Sequence, residues 1–266
     1  MFRMHRNWVM KKNRHYIQIF SAFLFNSYLL GFRDKTIFKG KTKMACVPIL
    51  NCYSCPSALG ACPIGALQAS LGDINNKTAF YVLGTIMLFG ILVGRLICGF
   101  LCLFGFIQDL LYKIPTKKIS ISAWLDKKLR FVKYIIFISF VIIFPMVLTN
   151  KYGLGAPYFC KLICPAGMLE GGIPLVLMSS TLKETIGFLY YWKFCILVFV
   201  VIISIFIYRP FCKYICPLGA LYGLFNRFSF YRMEIDKNKC IDCKVCERNC
   251  RMQVKVLENI NSAECI

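Results

Sequence analysis

Four long apolar stretches, roughly Tyr16–Phe32, Ala79–Ile97, Phe131–Leu148 and Phe188–Tyr208, constrain this chain more than any other feature. Each approaches the ~20 residues an α-helix needs to cross a bilayer core. The first is the shortest and contains Asn26. A fifth apolar piece, Gly171–Met178, contains Pro174, is too short to span and reads as interfacial or re-entrant. Composition agrees. Of the 266 residues, 58% are hydrophobic, against about 45–50% in an ordinary soluble domain. Phe and Tyr crowd near the span ends, as an interfacial belt does. The expected fold is mainly α: a polytopic membrane protein with about four transmembrane helices over 1–230, then a small cysteine-bearing segment over 231–266.

The formal net charge of +21 raises the question of nucleic acid. The Lys and Arg are instead spread through the loops between apolar runs, where span orientation accounts for them better than phosphate contacts do. Membrane lipid is therefore the expected partner, and nucleic acid is not. The basic start (Arg3, Arg6, Lys11, Lys12, Arg14) runs into apolar sequence without a small-residue cleavage site, so it reads as an anchor. That start shares a positive balance with the loop after the second span (Lys113, Lys117, Lys118, Lys127, Lys128, Arg130). So does the segment after the fourth (Arg209, Lys213, Arg227, Arg232). These regions should face the cytoplasm, which puts both termini there. The loop Lys151–Thr185, with Glu170 and Glu184, should face out. The loop Arg33–Lys77 carries Lys35, Lys39, Lys41 and Lys43 and is placed outside only by counting spans.

Sixteen cysteines need a chemistry. Secreted disulfide scaffolds are small and lack spans, so that class is excluded. Most of these cysteines fall in C-x2-C or C-x3-C pairs, several followed by Pro or Gly, which favours metal–thiolate ligation. Cys240, Cys243, Cys246 and Cys250 read C-x2-C-x2-C-x3-C, the bacterial-ferredoxin run for iron–sulfur clusters. A structural zinc site usually shows two separated C-x2-C pairs instead. The run points to one-electron transfer tied to a bilayer, with 4Fe-4S clusters as the cofactor. Arg251 stands where such runs usually carry Pro, and Cys265 stands where a second run would begin. The fourth partner of Cys240, Cys243 and Cys246 is open between Cys250 and Cys265.

An internal repeat marks the membrane part. Arg95-Leu-Ile-Cys98 through Cys102 to Gly105, and Arg209-Pro-Phe-Cys212 through Cys216 to Gly219, both read R-x2-C-x3-C-x2-G. Each lies at the end of a predicted span. Cys62-Pro-Ile-Gly65 and Cys164-Pro-Ala-Gly167 share C-P-x-G on the opposite side. The membrane part thus reads as two similar halves, and repeats of this kind place shared sites at their interface. In a helical C-x3-C both thiols lie on one face, one turn apart. Cys98, Cys102, Cys212 and Cys216 can therefore supply the four thiolates of one cluster, with redox-active thiol pairs and inert buried cysteine as alternatives. Gly99, Gly105 and Gly219 would let backbones approach it. Arg95 and Arg209 would offset its negative charge, or else snorkel to lipid phosphate. The outer set is Cys46, Cys52, Cys55, Cys62, Cys160 and Cys164. Cys52, Cys55 and Cys62 with Cys164 are candidates for a second cluster. Copper is a rival ligand for soft thiolates, and disulfides are a further reading if this face is oxidising. Cys195 has no partner motif and reads as packing. Glu170 and Asp109 are membrane-edge carboxylates, for which capping or solvation is the plainer reading and proton relay at a quinol site the sharper one.

These motifs resemble the NapH/NosR-type membrane polyferredoxins. The resemblance rests on the spans, on the C-x3-C-P motifs at Cys212–Pro217 and Cys160–Pro165, on the stretches Asn51–Gln68 and Cys98–Asp109, and on the C-terminal run. Leu103 replaces the Pro after Cys102. The resemblance implies an electron-transfer component of the cell membrane rather than a stand-alone catalyst. It also implies a redox partner protein, with quinol or a cytoplasmic carrier as donor. The second reading of the sequence is a membrane copper-handling or thiol-redox protein using the outer-face cysteines.

Overall fold

A computed structural model describes residues 4–73, 79–151, 154–231, 233, 235 and 240–266, with side chains described in α1 from Asn13 onward. Arg3 and Arg232, and the side chains of His5, Arg6, Lys11 and Lys12, lie outside the described residues. Among the described residues the chain is helical, with two isolated bridges and no extended strand.

The principal helices are α1 (Met4–Phe25), α2 (Pro63–Leu71), α3 (Ala79–Val93), α4 (Leu96–Phe100), α5 (Leu103–Leu111), α6 (Ala123–Val147), α7 (Pro165–Met178), α8 (Phe188–Phe206), α9 (Pro210–Tyr214) and α10 (Pro217–Phe225). α6 passes through a π-helical stretch at Phe137–Ile143, and α7 through another at Met168–Gly172. Among the described residues two helices, α6 and α8, are long and apolar enough to cross a membrane. The other two expected spans end early as helices. The first breaks after Phe25, where the chain turns before a short helix at Leu30–Arg33. The second stops at Val93 because Gly94 takes a left-handed φ of 56°. At 1.5 Å per residue, the 15 residues of α3 reach about 22 Å, short of the ~30 Å hydrocarbon core.

Large apolar side chains nevertheless stay exposed on all four. They include Tyr16, Phe20 and Phe23 on α1, Phe80 and Leu88 on α3, Phe131 and Ile135 on α6, and Phe199 and Ile202 on α8. A soluble monomer rarely exposes apolar surface on this scale, so the chain is membrane-associated. Cys195 is exposed on α8 and does not pack in the core, contrary to the expectation from sequence. The core gathers the opposite faces: α8 packs on α5 and α7, α6 on α2, α9 and α10, and α1 on α4 and α5. Most of the repeated cysteines lie inside that core.

Candidate metal centres

Four cysteines occupy the same structural position. Cys62, Cys102, Cys164 and Cys216 hold the N-cap of α2, α5, α7 and α10, each in extended backbone. A glycine follows three residues later in every case. The Gly167 N–H donates to Cys164 Sγ at 3.5 Å and the Gly219 N–H to Cys216 Sγ at 3.4 Å. Gly65 and Gly105 donate likewise to Cys62 and Cys102. A helix N-terminus has unpaired N–H donors and positive dipole charge, so it favours a thiolate at this position.

The structure brings the inner quartet together. Cys98 on α4, Cys102 before α5, Cys212 on α9 and Cys216 before α10 are all buried. Burial pushes the Cys216 thiol well above its ordinary value, and like charge from Cys212, Cys98 and Cys102 adds to this. Each of the four thus lies within the electrostatic reach of the others. Gln108 braces the quartet. Its Nε2 donates to Cys212 Sγ at 3.2 Å and to Phe104 O at 3.3 Å, while its Oε1 accepts from the Phe211 N–H at 3.2 Å.

Arg95 and Arg209 do not snorkel to lipid, since both are 0% exposed. Each crosses to the other half of the repeat. Arg209 Nη1 donates to Cys98 O at 2.8 Å, and Arg95 Nη2 donates to Cys212 O at 3.0 Å. Gly105 and Gly219 make room for them: a Cβ on either would stand 3.3 Å from the crossing guanidinium. Arg209 sits at φ 47° immediately before Pro210, a strained backbone for a non-glycine residue. Asp109 grips Arg209 at 2.7 and 2.5 Å and also takes Arg14 at 2.6 Å. Burial alone would raise the Asp109 carboxyl, but Arg209 and Arg14 outweigh it and hold the group below its ordinary range. Asp109 is therefore an ion-pair partner of the arginines.

Arg95 finds its acid in the C-terminal segment. Its Nη1 contacts Glu264 at 3.1 Å, and Lys133 Nζ meets both oxygens of the same carboxylate at 2.6 and 2.7 Å. The segment is held further by Asn226 Nδ2 donating to Ser262 O at 2.8 Å. In the ferredoxin run Cys243 and Cys246 are exposed, and Cys240 and Cys250 are half-buried. Cys265 lies beside Cys250. Burial and then Cys250 raise the Cys265 thiol, while Arg95 lowers it.

The outer cysteines divide. Cys52, Cys62, Cys160 and Cys164 are mutual neighbours: burial raises the Cys164 thiol, then Cys160, Cys52 and Cys62 raise it further. Cys55 is near Cys52 as well, and its Sγ meets Ser57 Oγ at 3.2 Å. Cys46 lies near Cys62, and burial followed by Cys62 pushes it up to about 12. Buried Tyr222 feels Cys98 of the inner group and Cys46 and Cys62 of the outer one. All sixteen cysteines are free thiols. Among the described residues no three His, Cys, Asp or Glu side chains converge tightly enough to hold a single metal ion.

A family model described as a 4Fe-4S binding domain matches residues 76–131 and 190–233, the segments that carry the inner quartet. MJ0750 of Methanocaldococcus jannaschii is 32% identical over 206 residues, covering 75% of this chain and 74% of that protein. YccM of Escherichia coli, named as a proposed electron transport protein, is 26% identical over 204 residues. The regulatory protein NosR of Stutzerimonas stutzeri is 27% identical over 177 residues. The chain belongs to the NapH/NosR-type 4Fe-4S family. Its matched part spans 71% of this chain but 51% of YccM, and 63% of this chain but 21% of NosR. No solved structure matches the chain. Iron–sulfur clusters are the cofactors of this family, and electron transport is its chemistry.

Several site residues were not singled out from sequence. Gln108, Gln68, Glu264 and Lys133 all carry side-chain contacts at or around the cysteines. The signal for the glutamines was present: Cys62–Gln68 and Cys102–Gln108 both read C-x2-G-x2-Q.

Proposed function

We propose that this chain is a multi-pass electron conduit of the cell membrane, with both termini cytoplasmic. Cys98, Cys102, Cys212 and Cys216 would hold one cluster in its 1–230 part, and Cys240, Cys243, Cys246 and Cys250 would serve a cluster in the 231–266 segment. The observation that carries this reading is the inner quartet, crossed by two buried arginines and lying within the segments matched by the 4Fe-4S family model. When bound, the cluster supplies one-electron chemistry whose potential is set by burial, charge and hydrogen bonds to sulfur.

The protein's own residues set those terms. Burial excludes water, Gln108 donates to Cys212 Sγ, and Arg95 and Arg209 place fixed positive charge beside the site. The donor would be a quinol or a cytoplasmic carrier. A cleft of about 280 Å³ lies beside Cys250, lined by Tyr112, Tyr208, Lys213 and Arg251 among others, and has room for a small ring. The test is iron and acid-labile sulfide per chain on anaerobically purified protein, with EPR after dithionite. A signal that disappears in Cys212→Ser/Cys216→Ser supports the conduit. Copper in place of iron, or a chain that binds no iron, sinks it.

A further inference from the structure

Three of the outer cysteines repeat the hydrogen bonds of the inner site. Gln68 Nε2 donates to Cys160 Sγ at 3.5 Å and to Ile64 O at 3.1 Å, and Gln68 Oε1 accepts from the Phe159 N–H at 2.9 Å. Gln108 makes the same three bonds to Cys212 Sγ, Phe104 O and the Phe211 N–H. The chain around the paired thiols repeats as well. Phe159–Gly167 and Phe211–Gly219 both read F-C-K-x-I-C-P-x-G. The second cysteine of each donates its N–H to the Phe carbonyl, at 3.0 and 2.8 Å, and accepts from the glycine N–H. Cys62, Cys160 and Cys164 therefore stand where Cys102, Cys212 and Cys216 stand in the inner site. The fourth place falls to Cys52, whose Sγ would lie 3.6 Å from a Cβ on Gly167 and 3.4 Å from one on Gly171.

A second observation points to an occupant. Asn51 is 1% exposed, yet neither its Nδ2 nor its Oδ1 has a hydrogen-bond partner. Its backbone N–H serves Cys62. Glu170 is 8% exposed; its Oε2 accepts from the Cys52 N–H at 2.7 Å, while its Oε1 has no partner. Orphaned buried polar atoms are rare in native proteins; the free Asn51 Nδ2 is a donor that the sulfurs of a cluster would accept, whereas the unpaired oxygens of Asn51 and Glu170 are acceptors and say nothing about a cluster. Both residues are bonded to a cage cysteine.

We propose that Cys52, Cys62, Cys160 and Cys164 form a second four-thiolate cage that binds an iron–sulfur cluster of the same class as the inner one. Cys46 and Cys55 lie outside it. The choice of ligand rests on the reading that the inner quartet holds a cluster; the choice of Cys62, Cys160 and Cys164 rests on the duplicated geometry, and that of Cys52 on its place beside Gly167 and Gly171.

The test counts metal in the anaerobically purified full-length chain whose exposed tail run is silenced by Cys240→Ser, Cys243→Ser, Cys246→Ser and Cys250→Ser. Two membrane cages predict about eight irons and eight sulfides per chain, measured chemically and by native mass spectrometry. Adding Cys160→Ser/Cys164→Ser should remove half of the iron. Adding Cys46→Ser/Cys55→Ser instead should remove none. A silenced-tail chain with about four irons, insensitive to Cys160→Ser/Cys164→Ser but emptied by Cys98→Ser/Cys212→Ser, overturns the outer cage and leaves the conduit standing. Iron insensitive to Cys98→Ser/Cys212→Ser sinks the inner reading instead. Because the silenced-tail count needs no substitution in the core, it decides the matter even if the core variants misfold.

Discussion

Glu264 is the residue whose removal should do most to detach the C-terminal segment. Its carboxylate lies between Arg95 and Lys133, both 0% exposed, at 3.1 and 2.6 Å. Glu264→Ala would leave two cations buried without their anion, and breaking a buried pair in this way costs about 3–5 kcal/mol. Glu264→Gln keeps the shape and an acceptor but loses the charge-assisted bonds, worth about 1.5–3 kcal/mol. Since 1.4 kcal/mol is a factor of ten, Glu264→Ala should speed local opening of the segment on the order of a hundredfold or more. The readout is hydrogen exchange of peptides from 255–266 in detergent-solubilised chain, measured by mass spectrometry. The pH dependence follows from the same contacts. Burial alone would raise Glu264, but Arg95 and Lys133 hold it below its ordinary 4.5. A depressed carboxyl stabilises above its unfolded pKa and loses that contribution as pH falls through the folded value. Protection should therefore be full at neutral pH and fade only under acid, below about 4.5. Exchange within threefold of wild type in Glu264→Ala would refute the reasoning.

Three further outcomes follow from the same contacts. Gly223→Ala places a Cβ 2.8 Å from Ala263 O, so it should loosen the segment without touching any charge, with increased exchange over 255–266 as the check. Arg209→Lys loses the two-pronged grip on Asp109 and the bond to Cys98 O; it should destabilise the inner site by about 2–3 kcal/mol, seen as lower iron retention on chelator challenge than in wild type. Gln108→Ala removes a donor to Cys212 Sγ; an N–H to sulfur stabilises the more negative, reduced cluster, so the midpoint potential of the inner cluster should fall in a redox titration, and an unchanged or raised potential would count against the assignment.

The sequence carried the chemistry further than the architecture. Thiol spacing is local, so the inner quartet and the ferredoxin run were legible as motifs. Helix lengths were less so. Apolar runs continue through Gly94 and past Phe25, and hydropathy does not register a left-handed glycine or a turn. The arginines were legible as candidates but not as buried, because snorkelling and burial begin from the same sequence position. The crossing of Arg95 and Arg209 is a long-range pairing that no local pattern contains. The proposed outer cage differs from the sequence grouping in one member, Cys160 in place of Cys55. Matching C-P-x-G paired Cys62 with Cys164 within one side, and Cys55 was favoured by its nearness to Cys52. The informative comparison was instead C-x2-G-x2-Q across the two sites, which puts Gln68 and Gln108 in register.

The asymmetry between the halves explains why the C-terminal segment reaches into the membrane part at all. In the first half, α5 carries Asp109, which neutralises the arginine arriving from the second half. In the second half the matching place on α10, four residues past the motif glycine, is Gly223. Without an acid there, Arg95 would be a buried and uncompensated cation. The missing side chain leaves space, and the space is filled: Ala263 O lies against Gly223 and accepts from Arg95 Nη1, and Glu264 supplies the carboxylate. The same insertion sets Ile266 against Gly99, next to Cys98, and brings Cys265 within the field of Arg95. One guanidinium thus bonds Cys212 O with one arm and the C-terminal segment with the other. Completing the inner site's charge balance and docking the segment are, on this geometry, a single event. Restoring an acid at the symmetric position, Gly223→Asp, should compete with Glu264 for Arg95 and release the segment while the inner quartet stays paired. Hydrogen exchange over 255–266, read beside inner-cluster iron in the same preparation, separates the two. Loss of both together would mean that the segment contributes more than its carboxylate.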